Sequence, residues 1–339
     1  MNMNYKMLLG AAGIAALAVS PASANEGFGP QTKAGAFIGA SAGVPPPGIY
    51  MFNQVFTYQA NLVGPGLPNG GTNPHVGLHA NVDVQGFLFV PGWTFLGATY
   101  DAVIVQPFVD LAVSNPALGI NTLQSGMFNT YLVPGELSWK LGTSGFAFKT
   151  GLGIYVPSGT ETGVNKLGNV GAPYYTFQPE AILSYLGNGY NLTAAVYEEF
   201  NTQNQVTHYT SGNILHADFT ATKTFGKWTI GPVAYYVGQQ TNDSCPISCV
   251  AVYGGNQTLA NYSRTDVWAV GALLGYDFGP AAVSIWATQE VSAKASNSAA
   301  LAAAGADPST VSQGTTVFAT LSYRIWAPEE PVKPAMFHK

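Results

Sequence analysis

Residues 175–202 read YTFQPEAILSYLGNGYNLTAAVYEEFNT, and this stretch decides the fold. From Tyr175 to Tyr185, Tyr175, Phe177, Ala181, Leu183 and Tyr185 alternate with Thr176, Gln178, Glu180 and Ser184. A period of two is that of a strand with one greasy and one wet face. Gly187-Asn188-Gly189 turns the chain tightly into a second segment, Tyr190–Thr202. The same unit recurs outward in both directions. Twelve such segments can be marked, near Ile49–Asn61, Leu78–Val90, Trp93–Gln106, Gly135–Leu141, Phe146–Val156, Tyr175–Leu186, Tyr190–Thr202, Ile214–Phe225, Trp228–Gln240, Asp266–Phe278, Ala281–Val291 and Thr316–Trp326. Five very short turns (Pro91-Gly92, Gly142–Gly145, Gly187–Gly189, Gly226-Lys227 and Gly279-Pro280) alternate with long connections. Short turns on one rim and long loops on the other predict an all-β, transmembrane antiparallel β-barrel of about 12 strands, with periplasmic turns and extracellular loops. Ten or fourteen strands differ from this reading by a single hairpin.

Composition leads to the same place. Hydrophobic residues make up 47% of the chain and charged residues 9%, against about 25% charged in a soluble domain. No window beyond Ala24 is long and apolar enough for a spanning helix. A barrel reconciles these facts, because its outer face meets lipid and its charges retreat to lumen, turns and loops. Lys6, the apolar run Met7–Val19 and Ala22-Ser23-Ala24 read as a signal peptide over residues 1–24, which places the barrel in a bacterial outer membrane. The formal charge of −5 becomes −6 once Lys6 is removed, which argues against nucleic acid as a partner. Cys245 and Cys249 lie four residues apart in a long loop and are read as a loop-local disulfide. No third ligand lies near them for a metal.

Facing follows from the cost of charge against lipid, about 2–4 kcal/mol for Lys or Arg at mid-bilayer. In the second segment Leu78, Ala80, Val82, Val84, Leu88 and Val90 are expected outside, with His79, Asn81, Asp83, Gln85, Phe87 and Phe89 inside. The lumen candidates are Asp83, Glu136, Lys140, Lys149, Glu180, Glu199, Asp218, Asp277, Glu290 and Arg324, as a constriction or as bracing ion pairs. Phe87, Phe89, Tyr155 and Trp286 are expected to add apolar contacts. Residues 25–48, with the run Ala34–Gly39, fit either a plug in the lumen or a loose periplasmic leader. The barrel spans 49–326, and the Pro-rich 327–339 reads as a periplasmic tail. Ala299–Ala304 suggests a short rim helix.

Several runs together resemble a known family: Pro45–Tyr50, Tyr175–Glu180, Leu183–Leu186, Asn191–Ala194, Glu199–Asn204 and His216–Lys223 with Phe225–Trp228. The chain resembles the proteobacterial outer-membrane proteins linked to the meta-cleavage pathway of phenol degradation. That resemblance implies a channel for small hydrophobic or aromatic compounds. No nucleophile elbow, His-Glu-x-x-His or Walker loop is present, so neither an enzyme nor a cofactor is expected. Outer-membrane lipid and small hydrophobic or aromatic solutes are the expected partners. The competing class is a closed structural or adhesive barrel whose long loops bind partners; liposome swelling separates the two.

Overall fold

The computed structural model describes residues 30–65, 73–115, 120–161, 170–244, 246, 264–296, 303, 307 and 309–329. The segment 1–24, both cysteines and the alanine run from Ala299 (Ala303 apart) lie outside them, as does most of the tail. Among the described residues fourteen strands are present: β1 Gly48–Val63, β2 Asn73–Val90, β3 Thr94–Phe95, β4 Ala98–Asn115, β5 Ile120–Met127, β6 Thr130–Lys140, β7 Phe146–Val156, β8 Thr176–Gly187, β9 Tyr190–Asn201, β10 Ile214–Phe225, β11 Trp228–Gln239, β12 Arg264–Asp277, β13 Ala281–Ser296 and β14 Val311–Trp326. Every pairing is antiparallel, and β1 pairs with both β2 and β14. β2 pairs with β4, which passes to β6 and on in order to β14, so a cylinder of twelve strands closes.

The two remaining strands elaborate that cylinder. β3 folds back on Ala98-Thr99 inside the first short turn, so Trp93 belongs to the turn and β4 begins only at Ala98. β5 pairs with the upper half of β4 as β6 pairs with its lower half. β5 and β6 are therefore one long path interrupted at Phe128-Asn129. Within β6, Pro134 supplies no N–H, and the register shifts between Leu132 and Glu136. That bulge explains why periodicity becomes clear only from Gly135.

Outward-facing Leu183, Leu192, Ile230, Leu274, Ile285 and Leu321 are exposed and form the lipid-facing band. Trp228, Phe225, Phe146 and Trp326 mark the periplasmic rim, as aromatic girdles do. The alternation of Tyr175–Tyr185 agrees with the burial pattern of β8, where Thr176, Gln178, Glu180 and Ser184 are buried while Phe177 and Leu183 are exposed.

The second segment is a correction. Leu78, Ala80, Val82, Val84, Leu88 and Val90 are buried inside, whereas Asp83 is exposed on the outer wall and Phe89 is 40% exposed. Asp83 is thus not a lumen residue. Its carboxylate accepts hydrogen bonds from Asn53 Nδ2 at 2.6 Å and Gln85 Nε2 at 3.1 Å. The reason lies in what fills the barrel. Here rings fill the lumen: Phe52, Phe56, Tyr58 and Phe318 point inward and are buried. An apolar inner face is then favoured by burial at about 25 cal/mol per Å².

Gly86 shows how tight this packing is, since a Cβ placed there would lie 1.9 Å from Phe52 Cζ. Gly86→Ala is expected to lower stability by about 1–3 kcal/mol. Adding Phe52→Leu should recover part of that loss. Urea unfolding of the lipid-reconstituted protein measures both, and equal losses in single and double variants would contradict the contact.

Candidate functional site

Residues 30–47 run inside the barrel without joining its sheet. Their local shape is a chain of turns, with Ala36 N donating to Lys33 O, Ile38 N to Gly35 O and Ala40 N to Phe37 O. Gly35 and Gly39 sit at φ +88° and +87°, where only glycine is unstrained. This geometry uses the N–H groups of residues 36, 38 and 40 internally and leaves those of 35, 37 and 39 facing the wall.

The wall meets them at the same pitch. Inward side chains on a strand recur every second residue. Gly35 N and Phe37 N donate to the two carboxylate oxygens of Asp218, each at 2.9 Å, and Gly39 N donates to Thr220 Oγ1 at 2.9 Å. Nearer the extracellular end, Gln31 N and Thr32 N donate to Glu199 at 2.9 and 2.7 Å. Toward the periplasm, Ala42 N donates to Ser184 Oγ at 2.8 Å, Ser138 Oγ donates to Ala42 O, and Asn191 Nδ2 reaches Gly39 O and Ala40 O. The segment thus descends the lumen on side-chain acceptors from β8, β9 and β10.

Its opposite side is greasy and aromatic. Phe37 and Ile38 belong to the buried cluster that includes Val103, Val105, Leu273 and Phe318. Trp286 Nε1 donates to Gly35 O at 3.1 Å, and its ring stacks on Phe318 at 4.9 Å. Lys33 places Nζ 3.7 Å from the Tyr58 ring centre and 3.6 Å from Glu290 Oε1. Glu290 also accepts from Tyr58, Tyr235 and the Gly314 amide.

A second polar cluster braces the wall. Lys149 Nζ lies 2.6 Å from Glu136 and 3.1 Å from Asp101, all three buried. Glu180 is buried beside them, giving three carboxylates around one ammonium. Of the sequence candidates, Glu136, Lys149 and Glu180 therefore form one cluster, Glu199 and Asp218 grip the inner segment, and Glu290 grips Lys33. Lys140 is exposed at the end of β6. Asp277 is half-buried at a turn, accepting from Gly279 N, and Arg324 is half-buried with Nη2 2.6 Å from Pro47 O. Tyr155 is inside, bonded to Thr32 Oγ1 at 2.7 Å, whereas Phe87 shares the outward face of Phe89. Asp101 and Lys33 were missed. In the sequence Asp101 is the only Asp, Glu, Lys or Arg between Asp83 and Asp110, and Lys33 the only one between Glu26 and Asp83, and that isolation is the signal that could have found them. His216 lies 3.2 Å from Glu199 and stacks on Tyr197.

Residues 64–305 match the family model described as "Putative MetA-pathway of phenol degradation". No curated protein matches the chain. Among solved structures, the COG4313 outer membrane channel from Pseudomonas putida F1 is similar in fold, with a TM-score of 0.64 at 10% identity over 82% of this chain and 96% of that one. The β domain of the Bordetella autotransporter BrkA gives 0.43 at 12% identity, covering 82% of this chain and 100% of that one. A Pseudomonas aeruginosa FadL homologue gives 0.41 at 9%, covering 92% and 100%.

Two substitutions probe the two clusters. Lys149→Met leaves three carboxylates facing one another and is expected to cost about 3–5 kcal/mol, read as a lower urea midpoint. Asp218→Ala removes acceptors from two amides, each bond to a charged group being worth about 1.5–3 kcal/mol. It is expected to raise hydrogen exchange at Gly35 and Phe37 while the strand amides of the barrel stay protected.

Proposed function

Because the chain belongs to the MetA-pathway of phenol degradation family of outer-membrane barrels, we propose that it is a channel for passive passage of small hydrophobic or aromatic compounds, gated by residues 30–47. Passage occurs when this inner segment shifts. One observation carries the reading: the segment is held by side chains alone, with no strand pairing to the wall. A stretch woven into the sheet could not leave without breaking a ladder. This one separates from Glu199, Asp218 and Ser184 bond by bond.

The lining suits the proposed solute. One side of the lumen is apolar, with Val82, Val84, Leu88, Val103 and Val105 buried there. The other carries Gln178, Glu199, His216 and Asp218. A phenol-like molecule has a greasy ring and a polar edge, so both surfaces serve it. Twelve strands stand between the filled eight-stranded barrel and the open sixteen-stranded pore, which makes the passage narrow. In this reading Glu136, Lys149 and Glu180 brace the wall, Glu199, Asp218 and Glu290 hold the segment, and Lys140, Asp277 and Arg324 mark the periplasmic mouth.

Deletion of Asn25–Ala42 is expected to raise single-channel conductance in a planar bilayer. Unchanged current would end the gating role of the segment. Proteoliposomes carrying either form should admit a labelled aromatic faster than empty vesicles. Failure of both forms to do so would favour a closed barrel whose loops bind partners.

A further inference from the structure

The lipid-facing wall of the barrel is not uniform. Across β7 to β12 it carries a trough of about 670 Å³. Leu192, Ala194, Phe219, Ala221, Pro232 and Ala234 are among the residues that line it. The cause is local. Small side chains occupy outward positions between larger ones in neighbouring strands, with Ala194 paired to Leu183 and Ala234 to Val270. The β10–β11 ladder passes from Thr220↔Val233 to Lys223↔Ile230, with Pro232 between, which has no N–H to give.

The periplasmic mouth of the trough carries a cation. Lys223 follows Ala221 on the same outward face, one alternation nearer the rim, and pairs across β9 with Tyr190. Its Nζ donates to Tyr190 OH at 3.0 Å and lies 4.2 Å from the Tyr190 ring centre and 5.4 Å from that of Phe225. This lysine stands beside an apolar stretch of the lipid face, where its stem can lie along the wall while its head reaches the phosphate level. Of the carboxylates on β9 and β10, Glu199 and Asp218 are buried on the inner face, and Glu198 faces outward eight residues along β9 from Tyr190, toward the opposite end of the strand, so none of them meets Lys223.

We infer that this trough binds an acyl chain of an anionic phospholipid of the periplasmic leaflet, with its phosphate on Lys223. Shape holds the chain, and charge selects the headgroup. The site depends on the barrel lying in the outer membrane and not on the transport reading.

The test uses the full mature protein in mild detergent, equilibrated with equal amounts of phosphatidylglycerol and phosphatidylethanolamine of identical chains and read by native mass spectrometry. Phosphatidylglycerol is expected to be retained about fivefold over phosphatidylethanolamine, the effect of one lysine at an anionic surface. Lys223→Gln should remove that preference and keep a bound lipid. Ala221→Phe, which fills the trough, should lose the lipid of either kind. Should that variant fail to fold, Ala234→Leu tests the same filling from the next strand. Lys227→Gln, in the adjoining turn, is the control. Equal retention of the two lipids by the unaltered protein would overturn the site. So would an unchanged preference in Lys223→Gln, or an equal loss in Lys227→Gln.

Discussion

A peptide group removed from water must still find a partner, and this constraint shapes both parts of the molecule. In the wall it is met by closing the sheet, so that β1 finds β14 and no edge faces lipid. Inside, residues 30–47 have no strand beside them. Their free amides are met instead by carboxylates and hydroxyls from the wall, at a spacing set by the strands. The buried acids of β9 and β10 are therefore backbone acceptors first. A lumen lined by alanine at Glu199 and Asp218 would leave four amides without partners, at about 1–3 kcal/mol each.

Much of the wall could be read from the sequence, because alternation is a local signal. Alternation bounds Phe146–Val156 and Ile214–Phe225 as the strands occur. It reaches only part of β6, because Pro134-Gly135 breaks the period at a bulge. In β2 it assigns the two faces the wrong way round for a different reason. The rule that charge faces the lumen presumes a polar lumen, and near β2 the lumen is filled by the rings of Phe52, Phe56 and Phe318. Asp101 lies where the β4–β6 register slips, which blurs the alternation that would have placed it. The course of residues 30–47 could not be read at all, since Gly35 and Asp218 are 183 residues apart and only the closed barrel brings them together.

The interior is two-sided as a result. Rings and valines gather under β1, β2 and β4, while acids and amides gather under β7 to β10. The inner segment matches both, with backbone donors toward one and Phe37 and Ile38 toward the other. This division allows a polar grip and an apolar surface within one narrow cylinder, with most of the buried charge kept to the polar side. Lys33 is the exception that fits, since Glu290 and the Tyr58 ring receive it on the apolar side.

The β1–β14 seam is the one pairing in the cylinder between strands far apart in sequence; the others join successive barrel strands. It is therefore the last that a chain laid down in order can zip. Residues 30–47 lead directly into β1, so whatever lies across the nascent sheet at that moment is enclosed when the seam shuts. If residues 30–47 already rest on the acids of β9 and β10 when β1 meets β14, the event that seals the cylinder also fills it.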